Sequence, residues 1–131
     1  MRTANQLECG PSTGLQPVSE RHPGAQGPFL SSHLIADCRT YRDACALAWE
    51  HRANQGLTKQ ILAATADLYP SHSSDYFRRE KINANGKPRR DLPAEKIADV
   101  ERVLGNRAIS QYLARRAMLT LMEEIAARIH G

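Results

Sequence analysis

Gln60-Ile61-Leu62-Ala63-Ala64-Thr65-Ala66-Asp67-Leu68-Tyr69-Pro70-Ser71-His72-Ser73-Ser74-Asp75-Tyr76-Phe77-Arg78-Arg79 is the stretch that decides the fold. Thr58 offers an N-cap hydroxyl just ahead of it, and Ile61, Ala64, Thr65 and Leu68 recur along one helical stripe. That helix must end before Pro70, because the residue ahead of a proline is pushed out of the helical region. Ser71 can cap a further helix of about ten residues, through Lys81, with Phe77 as its main inward anchor. Two short helices joined by a tight turn are the expectation.

Outward from this unit the helical signals continue. Thr40 and Asp43 form a Thr-x-x-Asp variant of the capping box. Tyr41, Ala44, Cys45, Ala48 and Trp49 share a stripe, predicting a helix over roughly 41–54 that stops near Gly56. Asn83 to Arg90 contains Asn85-Gly86 and Lys87-Pro88, the mark of an exposed loop. Asp91 and Pro93 start the next helix, Ile97, Val100, Val103 and Leu104 form its buried stripe, and Gly105 ends it. Asn106 caps a last helical stretch carrying Ile109, Tyr112, Leu113, Leu121, Met122, Ile125 and Ile129. A second capping box, Thr120 with Glu123, leaves two alternatives: one helix continuous to about 129, or a break near Leu119.

A chain of 131 residues holds one ordinary domain. Aromatic residues make up only 5% of it, which favours helices packed by small and aliphatic side chains. The expected fold is all-α: a compact bundle of about five helices over residues 39–131, containing a helix-turn-helix and preceded by a disordered tail over residues 1–38. That tail holds four of the eight glycines and four of the seven prolines without helical or strand period. It cannot bury enough apolar surface to offset the entropy of ordering it.

The charge is mild overall, +4, but concentrated. From Arg78 to Arg90, Arg78, Arg79, Lys81, Lys87, Arg89 and Arg90 face Glu80 alone, a local balance of 6 − 1 = +5. Two helices at a tight turn are the minimal device for placing side chains in a DNA major groove, and phosphate neutralisation supplies much of the affinity of such modules. A helix-turn-helix also needs a small residue where its helices cross, which Ala64 can supply, and inward anchors on the second helix, for which Phe77 and Ser74 are candidates.

At this point the sequence resembles the helix-turn-helix regulators of temperate phages and prophages, both the repressor/Cro class with its Gln-x-x-x-Ala opening (Gln60, Ala64) and the CII-like activators. Ser74-Asp75-Tyr76-Phe77-Arg78-Arg79-Glu80 looks like the recognition-helix ending of the latter. Asp91 to Asn106 and Ala108 to Ala114 look like the two helices that follow it. The resemblance covers about Tyr41 to Leu113. It implies that Gln60 bonds a backbone phosphate and that Ser71, His72, Ser73, Asp75, Tyr76 and Arg79 face outward from the recognition helix. The family usually has glycine at the turn, where this chain has Leu68-Tyr69-Pro70.

On that basis Arg79 is placed to make bidentate hydrogen bonds to guanine O6 and N7. Ser71, Ser73 and Tyr76 suit phosphates or water-mediated base contacts, and His72 a surface or phosphate contact. A carboxylate in a groove accepts only from cytosine N4, so the alternative role for Asp75 is to orient Arg78 or Arg79. Lys81, Lys87, Arg89 and Arg90 suit flanking phosphates, or form a merely charged loop.

Other chemistry finds little support. Cys38, Cys45 and His51 lack the paired spacing of zinc ligands, and Cys45 suits a small core position. No phosphate loop, nucleophile elbow or paired-carboxylate motif is present, so no enzyme, metal or cofactor is expected. Three cysteines without a secretory signal point to a reducing cytoplasm, that of a bacterial host cell. No apolar run approaches the ~20 residues of a membrane span. The expected partner is a double-stranded DNA operator, bound by a homodimer with Leu119, Leu121, Met122, Ile125 and Ile129 at its interface. The alternative for those residues is closure of the monomer's own core. A different class of function, a helical adaptor or inhibitor that binds another protein, remains the competing expectation.

Overall fold

The computed structural model describes residues 28–130. They form six α-helices: α1 (Ser32–Ala36), α2 (Tyr41–Glu50), α3 (Lys59–Ala66), α4 (Pro70–Tyr76), α5 (Ile97–Leu104) and α6 (Ala108–His130). A single 3-10 turn, Ala94–Lys96, leads into α5. An antiparallel bridge pairs Ile82 with Pro88. The fold is all-α.

Helix α2 is the hub, packing against α4, α5 and α6. Its alanines and Cys45 allow this: Ala44, Cys45, Ala46 and Ala48 are all buried, so neighbouring helices approach closely. Thr40 caps it, accepting from the Asp43 N–H, while the Asp43 carboxylate accepts from the Arg39 N–H. The helix stops at Glu50, four residues before the expected end. Arg52 explains this, because its guanidinium donates to the carbonyls of Trp49, Gln55 and Leu57 and closes 51–57 into a loop. Gly56 lies inside that loop rather than at the helix end.

Helix α3 begins after Thr58, whose hydroxyl accepts from the Ile61 N–H. Its buried residues are Leu62, Ala63 and Ala66, whereas Ile61, Ala64 and Thr65 are exposed. The expected stripe is therefore rotated by one residue. Ile61 to Ala66 is apolar on nearly every side, so spacing alone does not choose the face; packing of α3 against α4 and α5 does. The crossing residues are accordingly Ala63 and Ala66. The turn that follows is Asp67-Leu68-Tyr69, and Asp67 adopts the left-handed conformation, φ 58. Aspartate tolerates that region better than most side chains, so it stands where a glycine is usual. Both Asp67 and Leu68 donate their N–H to the Ala63 carbonyl.

Helix α4 starts at Pro70, not after a Ser71 cap, since proline's fixed φ suits the first helical position. It has seven residues and ends at Tyr76, so 77–81 are not helical. Helix α5 ends as expected at Gly105, φ 81, where an added Cβ would come within 2.9 Å of the Ala53 Cβ. Asn106, buried, accepts from the Ala108 N–H and donates to the carbonyls of Ala48 and His51. Glu101 accepts from the N–H and hydroxyl of Ser110 in the first turn of α6, where a carboxylate complements the helix dipole.

Two expectations about the ends are corrected. Residues 28–38, assigned above to a disordered tail, are ordered: α1 buries Ile35, and Gln111 of α6 both donates to the Leu30 carbonyl and accepts from the Leu30 N–H. Apolar Leu30, Leu34 and Ile35 at the end of the glycine- and proline-rich stretch supply the anchor. Residues 1–27 of that expected tail lie outside the described residues. The last helix is continuous from Ala108 to His130, the first of the two alternatives, and Thr120 donates to the Arg116 carbonyl rather than capping. No helix of the described residues is long and apolar enough to cross a membrane.

Candidate nucleic-acid interface

The helix-turn-helix is α3, the turn Asp67-Leu68-Tyr69, and α4. Inward positions are Ser73 and Tyr76 on α4 and then Phe77 at its C-cap, at i, i+3 and i+4. Phe77 is the anchor expected; it packs on Trp49 with ring centroids 5.8 Å apart. Ser73 and Tyr76, expected to face outward, are buried instead, and the Ser73 hydroxyl donates to the Pro70 carbonyl at 2.9 Å. Because the helix starts at Pro70 with this inward set, its outer face carries Ser71, His72, Ser74 and Asp75. Ser74, a candidate anchor above, is exposed. His72 lies between the rings of Tyr69 and Tyr76, with centroids 5.2 and 6.5 Å away. Tyr69, 71% exposed at the start of α4, extends that face. It was missed because the turn was read from its proline alone.

The basic segment divides into cations bound into the fold and cations left to solvent. Arg79 is bound: its guanidinium lies 2.9 Å from Glu50 and 3.7 Å from Asp43, so it is not free for guanine as expected. Arg89 is bound as well, half-buried and 3.3 Å from Asp75. Asp75 thus orients Arg89, and Arg90 at 3.8 Å, rather than Arg78 or Arg79. Neither assignment was within reach of the sequence, since the partners lie 29 and 14 residues away. Arg78, Lys81 and Lys87 are exposed, and no side-chain hydrogen bond or ion pair among the described residues holds them; Arg90 is also exposed. Gln60 is exposed in the first turn of α3, where the resemblance puts a phosphate contact.

A residue never singled out from sequence holds the site together. Arg42 of α2 is buried, and its guanidinium donates to the carbonyls of Asp75 and Arg78 at the end of α4, and of Arg89 and Arg90 beyond the loop. It also meets the Asp91 carboxylate at 2.7 Å. One fixed, planar fork therefore locks α4 to the segment that follows it. Nothing local in the sequence marks it, because α2 carries Asp43 and Glu50 as well and the partners of Arg42 lie 33 to 49 residues away.

Between Arg89 and Lys81 the chain forms a small hairpin. Arg89 N–H donates to the Lys81 carbonyl and Asn83 N–H to the Lys87 carbonyl, both at 2.8 Å. The Asn83 side chain accepts from the N–H groups of Asn85 and Lys87. Gly86 takes φ 79, as the third residue of such a hairpin loop requires.

No family model matches the chain, nor does any curated protein or solved structure. The site's own chemistry is what remains. Lys59, at the start of α3, is pushed below its ordinary range by burial and then by the positive charges of Arg78, Arg89 and Arg52. Its ammonium and the Arg52 guanidinium both lie over the Trp49 ring, at 5.4 and 4.1 Å. Mutually repelling cations beside an exposed helix favour an anionic ligand.

The expected interface residues on α6, Leu119, Leu121, Met122, Ile125 and Ile129, are all exposed, as are Leu113 and Met118. Among the described residues they take no part in the core.

Proposed function

We propose that the chain is a sequence-specific double-stranded DNA-binding regulator of phage or prophage type, with α4 in the major groove. One observation carries this reading: Gln60, Tyr69, Ser71 and Ser74 on the outer face of α3-turn-α4 are exposed, and the segment that follows adds exposed Arg78, Lys81 and Lys87, whose side chains make no hydrogen bond or ion pair among the described residues. A surface of that kind gains affinity from every phosphate it neutralises. Ser71 and Ser74 are the short polar groups that face outward to base edges or bridging waters.

The protein acts as a homodimer on a palindromic operator, because one seven-residue helix reads few base pairs and a two-fold axis doubles them. The exposed apolar residues of α6 supply the self-complementary surface. That same surface favours the second reading, an adaptor that binds a different protein.

A mobility-shift experiment on duplex DNA flanking its own gene, repeated across salt, tests the proposal. The expected result is a sequence-dependent complex weakened by salt and by Arg78→Ala. Absence of binding at low salt, or binding indifferent to sequence and to Arg78→Ala, contradicts it.

A further inference from the structure

We propose that the Lys81–Arg89 hairpin is a second DNA-contacting element, whose tip, Asn85-Gly86-Lys87, enters the minor groove next to the major groove occupied by α4. The inference rests on the reading of α4 given above and extends it.

Three features converge. The hairpin is already ordered, by the Asn83–Lys87 and Lys81–Arg89 backbone bonds and by the Asn83 side chain, so binding need not order it. It has no free joint with α4, since Arg42 holds the carbonyls of Asp75 and Arg78 on one side and of Arg89 and Arg90 on the other, and Asp75 pairs with Arg89. Wherever α4 sits, the tip is carried with it. Finally, the tip takes no part in the core and is open to a ligand. Ala84, Asn85, Gly86 and Lys87 are all exposed, and no atom lies within 4 Å of the position a Cβ would take on Gly86.

The chemistry selects the groove. With α4 in the major groove, a ribbon leaving its C-terminal end passes over the bordering phosphates, and what lies beyond them is the minor groove. That groove is only about 6 Å wide, and Ala84 and Gly86 keep the tip slim on either side of Asn85. Asparagine and lysine are side chains that minor-groove readers use, and no acid lies between Lys81 and Arg90.

The test uses the full chain and a duplex selected by the wild type from a random 20-base-pair library. Asn85→Ala/Lys87→Ala leaves Asn83, Gly86 and all backbone bonds of the hairpin in place, and an unchanged melting temperature checks that it does. The expected result is about tenfold weaker binding, a salt slope smaller by about one, and loss of hydroxyl-radical protection in the minor groove beside the α4 footprint. Wild-type affinity and an unchanged footprint in the double variant overturn the hairpin's role while leaving α4's intact. A wild type that enriches no duplex overturns both. Salt slope reduced with the minor-groove protection retained reassigns Lys87 to a phosphate and also rejects the minor-groove tip.

Discussion

Residues 28–112 and residues 113–130 meet water in opposite ways, although α6 runs through both. In the first region small side chains on α2 let α4, α5 and α6 close in, and Leu62, Val100, Leu104 and Ile109 are fully buried. In the second, about 27 Å of helix, from its 1.5 Å rise per residue, carries Met118, Leu121, Met122, Ile125 and Ile129, all exposed among the described residues. Most helical stability in proteins comes from tertiary packing of an apolar face, which this arm lacks among the described residues. The difference teaches that the head buries its apolar residues in its own packing while the arm leaves its own exposed, and the proposed dimer rests on that exposed surface.

The sharpest way to break that contrast is in the head. Leu62→Ala empties a fully buried position and is expected to lower unfolding free energy by about 3–5 kcal/mol, measured by urea denaturation. Arg42→Ala comes next, at about 3 kcal/mol, because it strands several carbonyls and separates α4 from the hairpin. It should also abolish DNA binding at temperatures where the fold survives.

A smaller effect is set by pH. Burial pushes the Cys45 thiol up from 9.0 to about 12, and burial together with Cys45 raises Tyr41 above its ordinary 10.0. Both groups are neutral when protonated, so above pH 9 the unfolded chain releases protons that the folded chain keeps. Their contribution is complete below pH 9 and is lost as pH rises toward 12. Roughly 1 kcal/mol should be gone by pH 10, and Cys45→Ala should flatten the urea midpoint between pH 8 and 10. Smallest for the head is Ile125→Glu, expected to change its stability by less than about 0.5 kcal/mol. In light scattering the same variant should convert a dimer to a monomer, and its helicity at 222 nm should fall as the unpartnered arm frays. A destabilised head in Ile125→Glu would erase the contrast.

How much of this was legible follows the range of the interactions. Caps are local, so Thr40, Thr58, Gly105 and Asn106 were placed correctly from sequence. The stripe of α5 was plain because its polar side is strongly charged. That of α3 was not, since an alanine-rich segment looks apolar from every side. On α4 the start at Pro70 decided which residues face out, and it moved Ser73 and Tyr76 inside. Arg79 was read from its neighbours in the chain, while its partners come from α2. Arg42, which holds α4 and the hairpin together, had no local signature at all. The ordered hairpin was visible only as Asn85-Gly86 in a loop.

The most direct measurement of the central claim is fluorescence anisotropy of a selected 20-base-pair duplex titrated with the full chain from about 50 to 200 mM salt. The account predicts saturable binding, at least about a hundredfold tighter than to a scrambled duplex, with log affinity falling linearly against log salt and Arg78→Ala lowering the slope by about one. Equal affinity for selected and scrambled duplexes, or no binding at 50 mM salt, would contradict it.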